Sequence, residues 1–260
     1  MVNTQNNIWK TLMVIGDNYQ ELIEPFDLNN PVERYIKYKY KDAKLLKDNE
    51  IKLLKQLIEK YKYLKIDILT QDFLNMTLHD LEKESLDDYY SRLTSNLFLD
   101  ENNDAWSTEN PNGKYRQIQH SGNYSIHLPL NNNTISYTST NDNIKWNQIH
   151  GTNKELYEIA WDIIINNKKP LDDIEKQIKA NMLPYKQNML AFNSKDEYIS
   201  YNTNYWCNSV ICNNQWFDMD DHPNHKEWVI NFYDNFIKNL NPNDNITILE
   251  YSIIETDEEN

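Results

Sequence analysis

Apolar positions along the chain fall into three kinds of pattern. Continuous short runs are the first. Trp9 to Ile15 is followed by Gly16-Asp17-Asn18, and a run of that length before a turn predicts a buried strand. Tyr19 to Ile23 predicts a short helix stopped by Pro25, and Pro31 to Tyr40 reads as Tyr-rich extended chain. Helical spacing is the second pattern. Between Asp42 and Lys65, the residues Leu54, Leu57, Ile58, Tyr61 and Leu64 recur every three or four positions and line one helix face. His79 to Leu99 is a weaker helical region with a Ser85-x-x-Asp88 cap. Thr152-Asn153-Lys154-Glu155 spells a capping box before a helix that bears Leu156, Ile159, Ala160 and Ile163. Beyond Pro170, a second helix carries Leu171, Ile174, Ile178 and Met182. The widest apolar face belongs to Trp228, Val229, Phe232, Tyr233, Phe236, Ile237 and Leu240, capped by Asn224 and ended by Pro242.

Short segments around turn residues are the third pattern. Lys114 to Leu130 predicts a hairpin turning at Ser121-Gly122. Tyr205 to Ile211 and Gln215 to Met219 predict another, joined at Asn213-Asn214, because asparagine tolerates positive φ in a two-residue turn. Ile246 to Ile254 predicts a terminal strand, and the polar stretch Asn131 to Asn147 predicts a mobile loop. Strands at both ends with helices between them predict one α+β domain over residues 1–260. The expected architecture is an antiparallel, ferredoxin-like sheet with helices packed mainly on one face. Long polar inserts and inserted helical segments, at about 41–99 and 152–183, interrupt it.

Composition narrows the function classes. The chain has 260 residues with 26 Lys+Arg against 40 Asp+Glu, a formal charge of −14. That balance argues against nonspecific nucleic-acid binding, which rests on neutralising phosphates with Lys and Arg. The stripe Lys37-Tyr38-Lys39-Tyr40-Lys41 reads as a strand edge with its lysines in water. No apolar run approaches the roughly 18–20 residues of a membrane span. Four glycines leave no phosphate-cradling loop, and the 39 Asn fit drift in an AT-rich genome. The polar start and two cysteines predict an intracellular protein with reduced thiols.

Three blocks, in order, resemble a family of proteins encoded by phages and some large DNA viruses. Leu22-Ile23-Glu24-Pro25-Phe26-Asp27-Leu28-Asn29 stands against the family's L-x-P-F-D-E-N. Lys114-Tyr115-Arg116-Gln117-Ile118 to Tyr124 stands against K-W-D-W-Y-x-I-G-G-R-W. Ser209 to Phe217, with Thr247-Ile248-Leu249-Glu250-Tyr251-Ser252, stands against a hairpin and a terminal T-V-V-D-x-H. The family arginine falls on Asn123, and its terminal aspartate and histidine fall on Glu250 and Ser252. The family has no assigned activity, so the resemblance implies a viral accessory protein acting in the host cytoplasm.

Several constellations invite chemistry. Cys207-x4-Cys212-x9-His222-x2-His225 has zinc-like spacing, but an odd separation along one strand would turn the two cysteines to opposite faces. No metal or other cofactor is expected. His120 and His127 flank the central hairpin without a partner that completes a nucleophilic set. Asp17 and Asn18 follow the first strand and read as a turn. Tyr115, Tyr124, Trp206, Trp216 and Trp228 are expected to form an aromatic core cluster. The alternative is a ligand pocket between the central hairpin and the last strand, lined by Arg116, Tyr124, Trp216 and Glu250. The expected function is protein–protein binding with a host or viral partner. Nucleic acid and membrane are not expected as partners, and an enzyme or small-ligand binder using that pocket is the second expectation.

Overall fold

The computed structural model describes residues 9–63, 68–120 and 127–253, without the side chains of 60–63 and 68–71. In chain order its strands and α-helices are β1 (Lys10–Ile15), α1 (Tyr19–Ile23), β2 (Tyr35–Tyr38), α2 (Ala43–Tyr63), α3 (Ile68–Lys83), α4 (Leu86–Leu93), β3 (Phe98–Leu99) and β4 (Ala105–Ser107). There follow β5 (Gln117–Gln119), β6 (Leu128–Pro129), β7 (Ile135–Ser136), β8 (Thr138–Thr140), α5 (Lys154–Ile164), α6 (Asp173–Met182), α7 (Lys186–Met189) and α8 (Lys195–Thr203). The last third adds β9 (Ser209–Cys212), β10 (Gln215–Asp218), α9 (His225–Phe236) and β11 (Asn245–Ser252). The chain divides into two compact units, Met1–Asn30 with Pro111–Asn260, and Pro31–Asn110.

The larger unit is built on a six-stranded sheet of order β10-β9-β1-β11-β5, with β8 also paired to β11. An antiparallel sheet is the expectation, and every named strand pair is antiparallel except β1 with β9, which runs parallel. The sheet is therefore mixed. β1 is buried on both faces, as its near-continuous apolar run requires. Met13 and Ile15 face one core with Val210, Ile246 and Ile248, roofed by Trp228, Val229 and Phe232 of α9. Leu12 and Val14 face the other core with Ile211, Leu249 and Tyr251, covered by Ile23 of α1 and Tyr115. Gly16 ends β1 at φ +139°, where a Cβ would come within 2.9 Å of Leu22 Cδ1. Asn213 and Asn214 sit at φ +52° and +59° and close the β9–β10 hairpin. That is the two-residue turn with both centres left-handed that the sequence predicts.

One expectation is corrected, and another lies partly outside the described residues. β5 pairs with β11 and β6 pairs with β7, while the Ser121-Gly122 turn and residues 123–126 of the hairpin expected over 114–130 lie outside the described residues. The polar stretch 131–147 is not a simple loop. It contributes β7 and β8, buries Ile144, and ties the Trp146 indole to Asn141 Oδ1 at 2.8 Å. A strand needs backbone partners before it needs apolar side chains, and β8 finds them on Asn245–Thr247.

A third core within this unit lies among α5, α7 and α8, where Ala160, Trp161, Ile163, Ile164, Met189, Tyr198 and Ile199 are buried together. α5 starts at Asn153 in left-handed conformation without a side-chain cap, so the expected Thr152 capping box does not form. Of the stripe expected on α6, Ile178 and Met182 pack on this core, while Leu171 and Ile174 are exposed.

The smaller unit pairs a three-stranded sheet, β2-β4-β3, with α2, α3 and α4. The expected Ser85 cap is formed, its Oγ accepting the Asp88 N–H at 3.1 Å. On α2, Ile58 is buried and Leu54 and Leu57 are half-buried, while Tyr61 and Leu64 fall outside the described side chains. The Lys/Tyr stripe lies at an edge, with Lys37 bonded to Glu109 at 2.7 Å and Tyr40 to Asp87.

Candidate functional site

Trp216 and Glu250 lie on opposite faces of the sheet. Trp216 meets Tyr251 edge-on at 5.1 Å, and Glu250 is the next residue along β11 from Tyr251, so its side chain projects the other way. Glu250 is buried and accepts from Gln119 Nε2 at 3.3 Å. Arg116 is held by its backbone, its N–H donating to Ser252 O at 2.8 Å and its carbonyl accepting from Asn29 Nδ2 at 2.8 Å. Tyr124 lies outside the described residues. Among the described residues, Trp216 and Glu250 therefore do not line one pocket. The expected aromatic cluster is likewise divided by the sheet: Tyr115 stacks on Trp216 on one face, while Trp206 and Trp228 pack in the core on the other.

Around Trp216 there is a packed polar network. Asp218 Oδ2 accepts from Ser209 Oγ at 2.9 Å, from the Tyr251 hydroxyl at 3.1 Å and from the Trp216 indole at 3.3 Å. Burial alone would raise the Asp218 pKa. The Asp220 N–H, the Ser209 hydroxyl and the Trp216 indole outweigh it and hold the carboxyl below its ordinary value. The carboxylate is satisfied on all sides, and the network braces the β9–β10 hairpin against β11.

The other sequence candidates are also placed. Cys207 precedes β9, so strand alternation does not reach it, and both cysteines pack on the same core, contrary to the expected opposite faces. Cys207 is fully buried beside the Tyr205 hydroxyl, and burial pushes its thiol up to about 12. His222 Nδ1 accepts the Asn224 N–H at 3.1 Å. Among the described residues no group of three His, Cys, Asp or Glu side chains is placed to hold a metal ion. The Tyr19 hydroxyl is 2.5 Å from His120 Nε2, and His127 Nε2 is 2.8 Å from the Tyr137 hydroxyl. Asp17 accepts from Asn245 Nδ2, and Asn18 opens α1 at φ +49°.

An aromatic-lined cleft lies elsewhere, in the helical part of the larger unit. It opens between α5, α7 and α8 and has a volume of about 410 Å³. Its walls are aromatic: Tyr157 meets Tyr198 at 5.8 Å, Phe192 meets Tyr198 at 5.4 Å, and Phe192 meets Tyr201 at 5.2 Å. Met182 and Met189 complete the apolar lining, and Asn188, Asn202 and Lys226 bring polar groups to it. Tyr185 joins the lining and is 56% exposed. Tyr198 is buried, and that burial, with Tyr157 beside it, pushes its hydroxyl up to about 12, so it stays neutral.

Local chemistry builds this cleft. Ser194 Oγ accepts the Glu197 N–H at 3.1 Å, and Glu197 Oε2 reaches back to the Asn193 N–H at 2.7 Å. The reciprocal cap fixes the start of α8, and so the aim of Tyr198 and Tyr201. The Asn193 N–H and then Lys226 hold Glu197 below its ordinary value, and the pair is 3.4 Å apart. Lys226 Nζ also donates to Ala191 O at 2.9 Å and stands 5.1 Å over the Phe192 ring. Sequence reasoning left residues 183–204 unread. The signal was Ser194-x-x-Glu197, a capping pattern before a segment whose apolar residues surround the helix instead of lining one side.

Compared with protein-family models, curated proteins and solved structures, the chain matches none.

Proposed function

We propose that the protein is a noncatalytic binding protein that holds a partner protein through the aromatic cleft. The open, aromatic- and methionine-lined cavity of about 410 Å³ carries this reading. Aromatic residues and methionine are enriched at recognition surfaces, and pockets admitting one apolar anchor concentrate binding energy. The occupant is a segment with one aromatic or branched aliphatic anchor beside an acidic residue, which meets Lys226. The setting is an infected cell, as a viral accessory protein in the host cytoplasm; the three sequence blocks support that, and the charge of −14 disfavours nucleic acid. Among the described residues no helix is long and apolar enough to cross a membrane.

A random-peptide display library panned on the full chain tests it. Enriched peptides should share the anchor and the acid. Phe192→Ala should weaken them about tenfold or more, Lys226→Gln should relax the acidic preference, and Phe98→Ala, in the other unit, should leave binding unchanged. No enrichment, or peptides indifferent to Phe192→Ala, overturns the proposal. A second reading, a small planar ligand in the same cleft, is supported by a volume typical of small-molecule sites. A metabolite screen read by thermal shift reports it directly.

A further inference from the structure

A second cleft, of about 430 Å³, lies among the C-terminal end of α5, the C-terminal end of α6 and the start of α7. Lys168, Lys169, Lys179 and Lys186 all line it, and no Asp or Glu does. In a chain of net charge −14, four cations around one cavity run against the molecule's overall balance. Among the described residues none of the four ammonium groups pairs with a carboxylate. The acidic group that Lys168 influences, Asp162, is bonded to Lys195 at 2.9 Å and to Asn166 at 3.1 Å.

Lysines near helix C-termini have a plainer use, since they offset the helix dipole. Its size decides the matter. Two C-termini supply about half a negative charge each, so four ammonium groups leave an excess of about three positive charges. Lysine ammonium groups are point charges that bind phosphate oxygens, and four of them around one cavity suit an anion of several charges. No aromatic ring lines this cleft, which leaves a nucleobase nothing to stack on. Ile163, Ile164 and Leu183 give it an apolar lining, so it accepts an aliphatic or cyclitol body between the cations.

We infer that this cleft binds a compact polyanion carrying two or more phosphate groups on a non-aromatic body. The phosphates come either from a free phosphate ester or from a phosphoinositide headgroup. The site is separate from the aromatic cleft, so its failure leaves the peptide-binding reading untouched.

Titration calorimetry on the full chain with inorganic tripolyphosphate tests it. Saturable binding that weakens as salt is raised is expected. Each single Lys→Gln change should weaken it roughly tenfold, and the fourfold Gln variant should abolish it. The fourfold Arg variant keeps the charge and should keep binding, which guards against a folding defect in the Gln variant. No heat and no thermal shift at millimolar tripolyphosphate, or undiminished binding by the fourfold Gln variant, overturns the inference. Equally tight binding of a tricarboxylate overturns the preference for phosphate. Flotation with phosphatidylcholine vesicles, with and without a phosphoinositide bisphosphate, assigns the source: lipid-dependent flotation names the headgroup. Tripolyphosphate binding without flotation names the free ester.

Discussion

Asn213 and Asn214 show how much one residue type can decide. Both sit at positive φ, as do Asn18, Asn103, Asn133, Asn153 and Asn167. Left-handed backbone costs most L-residues roughly 1–2 kcal/mol, and asparagine less than others. A glycine-poor chain thus uses asparagine where a turn needs that conformation. Asn214→Val should cost about 1 kcal/mol in urea unfolding, and Asn214→Gly should cost nothing measurable. Asp218 gives the second residue-scale prediction. Its pKa is lower in the folded protein than in the unfolded chain, so it stabilises the fold above the ordinary carboxylate value. That contribution fades as pH falls below about 3.8 and through the lower folded-state value. Asp218→Asn should flatten the acid limb of a stability–pH curve, and an unchanged limb would count against the network as drawn.

At the scale of elements, capping and core-facing stripes cooperate. α9 begins where Asn224 Oδ1 accepts the Lys226 and Glu227 N–H groups, and it ends with Phe232 and Ile237 fully inside. Its Trp228 indole donates to Cys207 O at 2.8 Å, which locks the helix to the start of β9. α8 lacks such a stripe and depends more heavily on its cap. Ser194→Ala should cost about 1 kcal/mol, and by loosening Glu197 it should also release Lys226. Chemical denaturation measures the first effect. A stronger acidic preference in the selected peptides, as Lys226 loses its internal carboxylate partner, measures the second.

For the whole molecule the governing quantity is charge. Forty acidic residues face 26 basic ones, and exposed ion pairs such as Lys55–Glu82, Lys176–Asp173 and Lys238–Asp234 are individually worth little. Self-repulsion at neutral pH therefore opposes compaction. Raising ionic strength from about 0.01 to 0.15 M shortens the screening length from about 30 to 8 Å. The melting temperature should rise over that range, and a fall would mean that attractive pairs dominate. The same balance makes the four lysines lining the cleft beside α5 and α6 conspicuous, since an acidic chain has few cations to concentrate in one place.

The amino-acid sequence by itself determined the elements whose causes are local. α9 has its stripe and its cap within its own span, the β9–β10 hairpin has its Asn-Asn turn, and β1 is short, apolar and bounded. Pairing partners were beyond it, because a backbone ladder joins residues far apart in the chain whatever their side chains. Lys10 meets Tyr251 and Leu12 meets Ser209 in register, while β5 and β6, adjacent in sequence, pair with different strands. The candidate site followed the same division. Trp216 and Glu250 looked like neighbours until strand parity turned them to opposite faces. The two clefts draw most of their walls from α5 to α8, and their convergence depends on how those helices pack around Trp161 and Tyr198. Packing of that kind is set by the shapes of side chains from distant segments, which no local pattern encodes.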